Sequence, residues 1–279
     1  MNNILKDNVK EKLCSDGIWH FSDFMLSIYK NIIARFPCRD VAETEERYPT
    51  TKDGMGAYLD KFFARHYFQI QDSLLDYMTS EFFLGSVSDN CINVMDIGSG
   101  PAVASLAIAD MFSCIMDALS KQRSIAYKVK LNFLLNDTSD ICLGLGKEIL
   151  FDYFKLSGRT HNIFMGNAFF LERPFPKTMP QIERIFKNLG TVNIANFSYV
   201  VVPLTEQDIN IHSEILNIKK LCAPNGRILI VQDKYNEDLV RQIDNEPESR
   251  NVTHRVYSKQ NNNDTYTYEY YGSLIQGNE

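Results

Sequence analysis

Residues 93–109 read NVMDIGSGPAVASLAIA: an apolar strand runs into an acidic residue, two alternating glycines, a proline and an Ala-rich helix. Gly98 and Gly100 let the backbone pass close to a ligand without interference from a Cβ. Asp96 ends the strand, where its carboxylate can face a cationic group directly or through water. Pro101 stands at the expected first helical position, where its fixed φ suits a helix and its missing N–H costs little. A helix start that holds a pyrophosphate points free N–H groups at the phosphate oxygens, and Pro101 removes one of them. The third glycine of a GxGxxG or GxGxG pattern is also missing, with Val103 and Ala102 at those positions. Many glycines serve tight turning alone, so the turn needs support from elsewhere in the chain.

The next apolar run, LNFLLND, ends in Asp137. A carboxylate there can accept both hydroxyls of a ribose, and it can equally cap the following helix. Its distance from Gly100, 37 residues, exceeds the ~20 of a compact dinucleotide fingerprint. A long first helix and the KQRSIAYK loop absorb the excess. A third run leads into GNAFF at residues 166–170. There Asn167 and Ala168 are placed to meet an adenine edge, with Phe169 or Phe170 walling the ring; an ordinary turn is the alternative. S-adenosylmethionine carries an adenosine, a sulfonium and an amino-acid tail but no phosphate. Losing an N–H at position 101 is tolerable for it and awkward for NAD, so S-adenosylmethionine is the expected cofactor.

These residues must be positioned by strands and helices, and the periodicity supplies them. Before Cys91 the pattern is helical, over Phe21 to Phe36 and again over Ala57 to Phe83, with a polar loop from Arg39 to Met55 between. From Cys91 strands alternate with helices. CINVMDI is the first strand, followed by a helix over residues 102–120. A second strand covers 129–136 with a helix over 139–156, and a short third strand covers 162–165 before the Pro-broken LERPFPKTMP and a helix over 181–187. The fourth strand is 192–198. Thr205 with Asp208 resembles a capping box opening a helix to about Leu221. APNG is a turn, RILIVQD the fifth strand, and a helix follows near 236–245. The chain then closes with NVTHRVYSKQ and TYTYEYYGSLI, too close together for a parallel crossover and therefore an antiparallel hairpin. The expected fold is α/β, a Rossmann-like, seven-stranded, mostly parallel sheet with a terminal antiparallel hairpin and an N-terminal helical cap. Residues 1–90 would form the cap that selects a substrate, and 91–279 the catalytic domain.

Composition narrows the partners. Hydrophobic residues make up 44% of the 279 and charged residues 23%, ordinary values for a globular chain. The net charge is −6. Residues 1–90 carry 10 Lys/Arg against 14 Asp/Glu, which argues against a surface built to neutralise phosphates. The densest basic cluster, Lys121, Arg123, Lys128 and Lys130, reads as a solvated loop. Six scattered cysteines without a CxxC pair predict free thiols and no metal site. No uncharged run reaches the ~20 residues that cross a bilayer, and the start has no signal-peptide layout, so no membrane association and a cytoplasmic location are expected.

Taken together, DIGSGPA, LLND, GNA and NFSY before PNGRILIV resemble the class I S-adenosylmethionine-dependent methyltransferases over about residues 91–275. A closer resemblance is to the mitochondrial small-ribosomal-subunit methyltransferase-like family. It rests on Tyr58-Leu59, Lys61, Phe62-Phe63-Ala64 and Tyr67 ahead of the glycine turn, on SDICLGLGKEIL after Asp137, and on FSYVVVPL. The family's clustered cysteines are absent. The resemblance implies methyl transfer to a nucleophilic N or O. The acceptor would be RNA on the closer resemblance, with a small molecule or protein also open. Asn196 would be the acceptor-amine ligand and Tyr199 the stacking surface, although both prolines of the usual Asn/Asp-Pro-Pro-aromatic motif are missing. Arg65, His66 and Tyr67 would line an acceptor pocket if their helix folds over the active face. The alternative is a methyltransferase-fold protein that binds cofactor or a protein partner and transfers nothing.

Overall fold

The strands expected around the glycine turn are apolar on both faces, so a sheet built from them has to be covered on both sides. A computed structural model describes residues 2–36, 40–86, 91–123, 128–157, 163–244, 246–257 and 264–277. Its N-terminal part holds α1 (Asn2–Leu13), the two-residue strands β1 (Cys14–Ser15) and β2 (Ile18–Trp19), α2 (Asp23–Ile33), α3 (Glu43–Arg47) and α4 (Lys52–Tyr58). One π-helical turn, Leu59–Phe63, joins α4 to α5 (Ala64–Met78), and α6 (Glu81–Ser86) follows.

The alternating part runs β3 (Cys91–Ile97), α7 (Val103–Arg123), β4 (Val129–Asp137), α8 (Asp140–Ser157), β5 (Ile163–Glu172) and α9 (Met179–Leu189). It continues with β6 (Val192–Asn196), α10 (Val201–Thr205), α11 (Ile211–Lys219), β7 (Cys222–Asp233) and α12 (Glu237–Arg241). The closing hairpin is β8 (Glu248–Arg255) and β9 (Thr265–Gln276).

Across the sheet the order is β1-β2-β8-β9-β7-β6-β3-β4-β5. Strands β3 to β7 are mutually parallel, and β9 lies antiparallel between β7 and β8. This is the mostly parallel Rossmann-like sheet with a terminal hairpin. Its edge is extended by β2, which pairs parallel with β8, and by β1. Two-residue strands have no periodicity to announce them. From β3 the sheet builds outward through β4 and β5 on one side and through β6 and β7 on the other. The point where strand order reverses therefore falls between β3 and β6, where open α/β sheets bind ligands.

Successive residues along the strands serve opposite cores. Ile92 and Val94 of β3 with Leu229 and Val231 of β7 pack toward α1, α2, α5, α7 and α8, so the cap shares this core with the sheet. Met95 and Ile97 with Ile228 and Ile230 pack toward α9 to α12. Helix α7 is apolar enough over Val103–Gln122 to cross a membrane by length and composition, but 89% of that window is buried inside the fold. It is covered by the sheet on one side and by the cap on the other.

Several boundaries differ from the sequence expectation. The helix from Thr205 to Leu221 is two helices. Thr205 ends α10 with its Oγ1 donating to Val201 O, while Asn210 caps α11 by accepting from the Ser213 N–H. The polar stretch 39–55 contains α3 and the start of α4. Cys38, Arg39, Asn162 and most of NNND lie outside the described residues. The five described cysteines are free, and no cluster of metal-ligating side chains occurs among the described residues. Within the basic cluster, Lys121 pairs with Asp117 at 3.2 Å.

Two polar joints hold the cap. Asp110, buried in the middle of α7, accepts from Ser22 Oγ (2.6 Å), Tyr153 OH (2.9 Å) and Tyr67 OH (2.8 Å). Glu45 of α3 closes the following turn, accepting from the N–H and hydroxyl of both Thr50 and Thr51 at 2.7–2.8 Å. Partial burial pushes the Glu45 carboxyl up, but these four hydrogen bonds outweigh it and hold its pKa at about 2.

Asp110→Ala strands buried hydroxyls at about 1–3 kcal/mol each. It should lower unfolding stability by roughly 3 kcal/mol or more in urea titration, with partial recovery when Tyr67→Phe and Tyr153→Phe are added. An unchanged midpoint would show that Asp110 is not a joint. Because the Glu45 pKa is depressed, its contribution is complete above the ordinary carboxylate range and is lost as pH falls toward about 2. Hydrogen exchange at the Thr50 and Thr51 amides, corrected for intrinsic rate, should accelerate over that window and lose the dependence in Glu45→Gln.

Candidate active site

A cavity of about 260 Å³ opens over the carboxyl ends of β3, β4 and β6, at the reversal of strand order. Its floor is the turn 98–101. Gly98 and Gly100 have φ of 64° and 50°, and a Cβ on Gly98 would stand 2.7 Å from Val200 Cγ2. Ala102 is also left-handed, at φ 62°, which an L-residue adopts only when its surroundings impose it. Helix α7 consequently begins at Val103, and Pro101 sits in the turn before it rather than at the first helical position.

The N–H groups of residues 99, 100 and 102 are already engaged. Ser99 N–H donates to Asn136 O (3.0 Å), Gly100 N–H to Asp137 Oδ2 (2.8 Å) and Ala102 N–H to Ser99 O (3.0 Å). Pro101 has none. No residue from 99 to 102 offers a free N–H to a phosphate.

Two carboxylates line the same cavity, Asp96 buried and Asp137 half-buried. Asp137 also accepts from the Ser139 N–H at 2.9 Å, fixing the turn that leads into α8, while Ser139 itself caps the helix by accepting from the Cys142 N–H at 3.3 Å. Burial raises its pKa and the backbone hydrogen bonds oppose that rise. Asp96 accepts from Ser105 N–H (3.2 Å) and Oγ (2.7 Å) and from Asn196 Nδ2 (2.9 Å). Desolvation lifts its pKa to about 6, with the Ser105 and Asn196 hydrogen bonds pulling it down and the Asp137 charge adding to the rise. The cavity's cationic lining residues, Arg47 and Arg173, are both exposed. A ligand that brings hydroxyls and a positive charge matches these two acids.

The cap roofs the cavity with Arg47, Tyr48, Pro49, Thr50, Tyr58, His66 and Ile70. Ser139 Oγ donates to Pro49 O at 2.9 Å, tying the roof to the Asp137 turn. Sequence reasoning passed over 47–50 as a polar loop. The visible trace was Tyr48-Pro49 and the paired threonines, which Glu45 clamps.

A second cavity of about 120 Å³ adjoins the first at Tyr58, His66 and Tyr199. Tyr199 has φ 61°, stacks on His66 (centroids 3.6 Å, 17° between planes) and donates its hydroxyl to Gln69 Oε1. Tyr58 OH lies 3.2 Å from His66 Nδ1. Burial, reinforced by the Arg65 charge, keeps the His66 pKa well below the usual histidine range. The ring is therefore neutral at pH 7.

Of the expected site residues, Asp96, Gly98, Gly100, Asp137, Asn196 and Tyr199 all line the first cavity. Asn167 and Ala168 do not. GNA is the interior of β5, not a turn at its end: Ala168 pairs with Phe133, and the Asn167 N–H donates to Asn132 Oδ1 at 2.7 Å. The strand ends at Glu172, so Arg173, Pro174 and Phe175 occupy the place assigned to Asn167. Tyr67 points away from both cavities into the core, where Asp110 holds its hydroxyl. Arg65 pairs with Asp233 and lies 4.4 Å over the Tyr268 ring, supporting the second cavity from behind. His66 is the member of the Arg65-His66-Tyr67 triplet that lines both cavities. Asn196 is not free to hold an acceptor amine. Its Nδ2 binds Asp96 and its Oδ1 accepts from Ser198 Oγ (2.6 Å), so it positions Asp96.

No protein-family model matches the sequence, and no curated protein matches it. Among solved structures, the chain is similar to the plantazolicin methyltransferase BamL in complex with a triazolic desmethylPZN analog and SAH. Identity is 9%, coverage 91% of this chain and 99% of that one, and the TM-score 0.39. It is also similar to precorrin-6y C5,15-methyltransferase from Geobacter metallireducens GS-15, with 13% identity, 70% and 86% coverage and a TM-score of 0.37. TrmN from Thermus thermophilus follows at 13% identity, 78% and 53% coverage and a TM-score of 0.34. At these scores the fold assignment rests on the chain's own strand order, which is that of an α/β Rossmann-like sheet with antiparallel terminal strands.

Proposed function

We propose that this chain is an S-adenosylmethionine-dependent methyltransferase acting on an N or O nucleophile. The observation that carries the reading is the turn 99–102, which has no N–H left for a phosphate yet stands between the buried Asp96 and the half-buried Asp137. A nucleoside ligand with a cationic tail suits that arrangement, and a dinucleotide does not. Asp137 would take the ribose hydroxyls, Asp96 the ammonium directly or through water, and Phe175 with the edge of the turn the adenine. Gly100 suits the floor because its backbone is left-handed, φ 50°.

When bound, the cofactor supplies a methyl group already activated on a sulfonium. The protein's contribution is then positioning, which alone can lower a barrier by ~7–11 kcal/mol. His66, neutral and lining both cavities, would orient an acceptor N–H or O–H by accepting its hydrogen bond. Tyr199, stacked against it, fixes the imidazole plane. RNA remains an acceptor to test, on the sequence resemblance to the ribosomal-subunit methyltransferase-like family. The engagement of Asn196 by Asp96 and Ser198 supports a second reading, a scaffold that binds cofactor or a protein partner without transfer.

Thermal shift should show stabilisation by S-adenosylmethionine and S-adenosylhomocysteine and none by NAD; stabilisation by NAD alone overturns the cofactor. Charged hydrogen bonds of roughly 1.5–3 kcal/mol make Asp137→Ala at least about ten-fold weaker in cofactor binding. Asp96 is ionised only above about 6. A cationic tail binds the ionised form, so calorimetric affinity should fall as pH drops through that value, and Asp96→Asn should flatten the profile. Radiolabelled transfer to total RNA and to cell extract separates the two readings: silence in both with tight cofactor binding selects the scaffold.

A further inference from the structure

We propose that the second cavity is the acceptor site and that it takes a small molecule with one uncharged planar ring, hydrogen-bonded by the Gln232 amide. This rests on the methyltransferase reading above and narrows its acceptor.

Gln232 lies near the end of β7, 1% exposed, and lines this cavity. Its Nε2 is buried without a hydrogen-bond partner. An unpaired buried amide of this kind costs about 1–3 kcal/mol, which a ligand carrying an acceptor atom would recover. The walls are aromatic: Tyr48, Tyr58 and Phe62 together with the His66–Tyr199 stack. Flat faces on several sides select a flat ligand. Size selects one ring, since an apolar cavity of roughly 150 Å³ holds benzene and this one measures about 120 Å³.

The charges around the cavity are already matched. Asp233 is paired with Arg65 and His66 is held neutral. Arg47 of the lining pairs with Glu43 at 2.7 Å, and the cations next in sequence to lining residues are paired too, Lys61 with Glu46 and Lys234 with Glu269 at 3.5 Å. A charged ring entering here would lose hydration and gain no uncompensated partner. A polynucleotide depends on cations free to neutralise its phosphates, and each cation just named already faces a carboxylate. These pairings favour a neutral small molecule over RNA.

Saturation-transfer NMR tests this on the full chain with S-adenosylhomocysteine present, using benzamide and phenol as uncharged rings and benzoate and benzylammonium as charged ones. The uncharged pair should bind at least about ten-fold more tightly than the charged pair. Gln232→Leu removes the donor, and Phe62→Trp fills the cavity from a half-exposed position that tolerates the change. Each should weaken benzamide by about ten-fold or more while the S-adenosylhomocysteine thermal shift stays intact. Equal binding of charged and uncharged rings, unchanged benzamide affinity in the Phe62→Trp variant, or displacement of benzamide by a short single-stranded RNA overturns the acceptor assignment. Absence of the thermal shift in the unmodified chain sinks the cofactor reading instead, so the two failures are distinct.

Discussion

The Gly100 N–H donates to the Asp137 carboxylate across the ends of β3 and β4, and the floor of the first cavity is built around that bond. It consumes the donor that a phosphate would need. It also anchors an acid that would otherwise be free to swing, since the same carboxylate receives the Ser139 N–H at the start of α8. One residue thus fixes the glycine turn, holds the residue that caps α8 and lines the cavity. The left-handed Ala102 belongs to the same arrangement. Gly146 of α8 sits so close that a Cβ there would be 3.0 Å from the Ala102 N, so the turn is pressed between two helices. A non-glycine left-handed residue persists where packing over-determines it.

Asp96 carries the second constraint. Its oxygens are distributed between the start of α7, through Ser105, and β6, through Asn196. That bridge spans the point where strand order reverses, which is also where the cavity opens. A carboxylate with a pKa of about 6 in such a place is held ready for a cation without being paired to one by the protein. The acids at the ends of β3 and β4 therefore differ in task. Asp137 is organised by backbone N–H groups, and Asp96 by side chains that join two elements.

What could be read from the sequence followed from periodicity and from turn chemistry. CINVMDI, LNFLLND and RILIVQD are apolar runs with one structural solution each, and the short link between the last two strands forces an antiparallel hairpin. GNA misled because glycine and asparagine are turn residues by ordinary preference. In this sheet they belong to a ladder of amides: Asn132 Nδ2 donates to Asn93 Oδ1 at 2.8 Å, Asn132 Oδ1 receives the Asn167 N–H, and Asn193 Oδ1 receives the Asn93 N–H at 2.8 Å. Gly166 is required because a Cβ would fall 2.3 Å from Asn132 Oδ1. The polar residues mark hydrogen bonding between strands, not a reversal of the chain. Roof residues 47–50 were hidden for a different reason. Their place is set locally by Glu45, five and six residues before the threonines it holds, and by Pro49 O on Ser139, a contact between segments 90 residues apart that no local pattern encodes.

The cap and the second cavity are one mechanical unit. Tyr199 holds a left-handed backbone worth roughly 1–3 kcal/mol of strain for a residue of its kind. Three contacts maintain it: the N–H on Val231 O (2.9 Å), the hydroxyl on Gln69 and the ring on His66. Two of those three partners belong to α5, which Asp110 pins to α7 through Tyr67. The single π-helical turn at Leu59–Phe63 sits between Tyr58 and His66, and such turns realign the side chains on either side of them. It leaves the Tyr58 hydroxyl within reach of the His66 ring. Loosening α5 would release Tyr199 from its strained conformation and open the wall shared by the two cavities. The buried Asp110 joint, outside both cavities, thereby sets the shape of the second one.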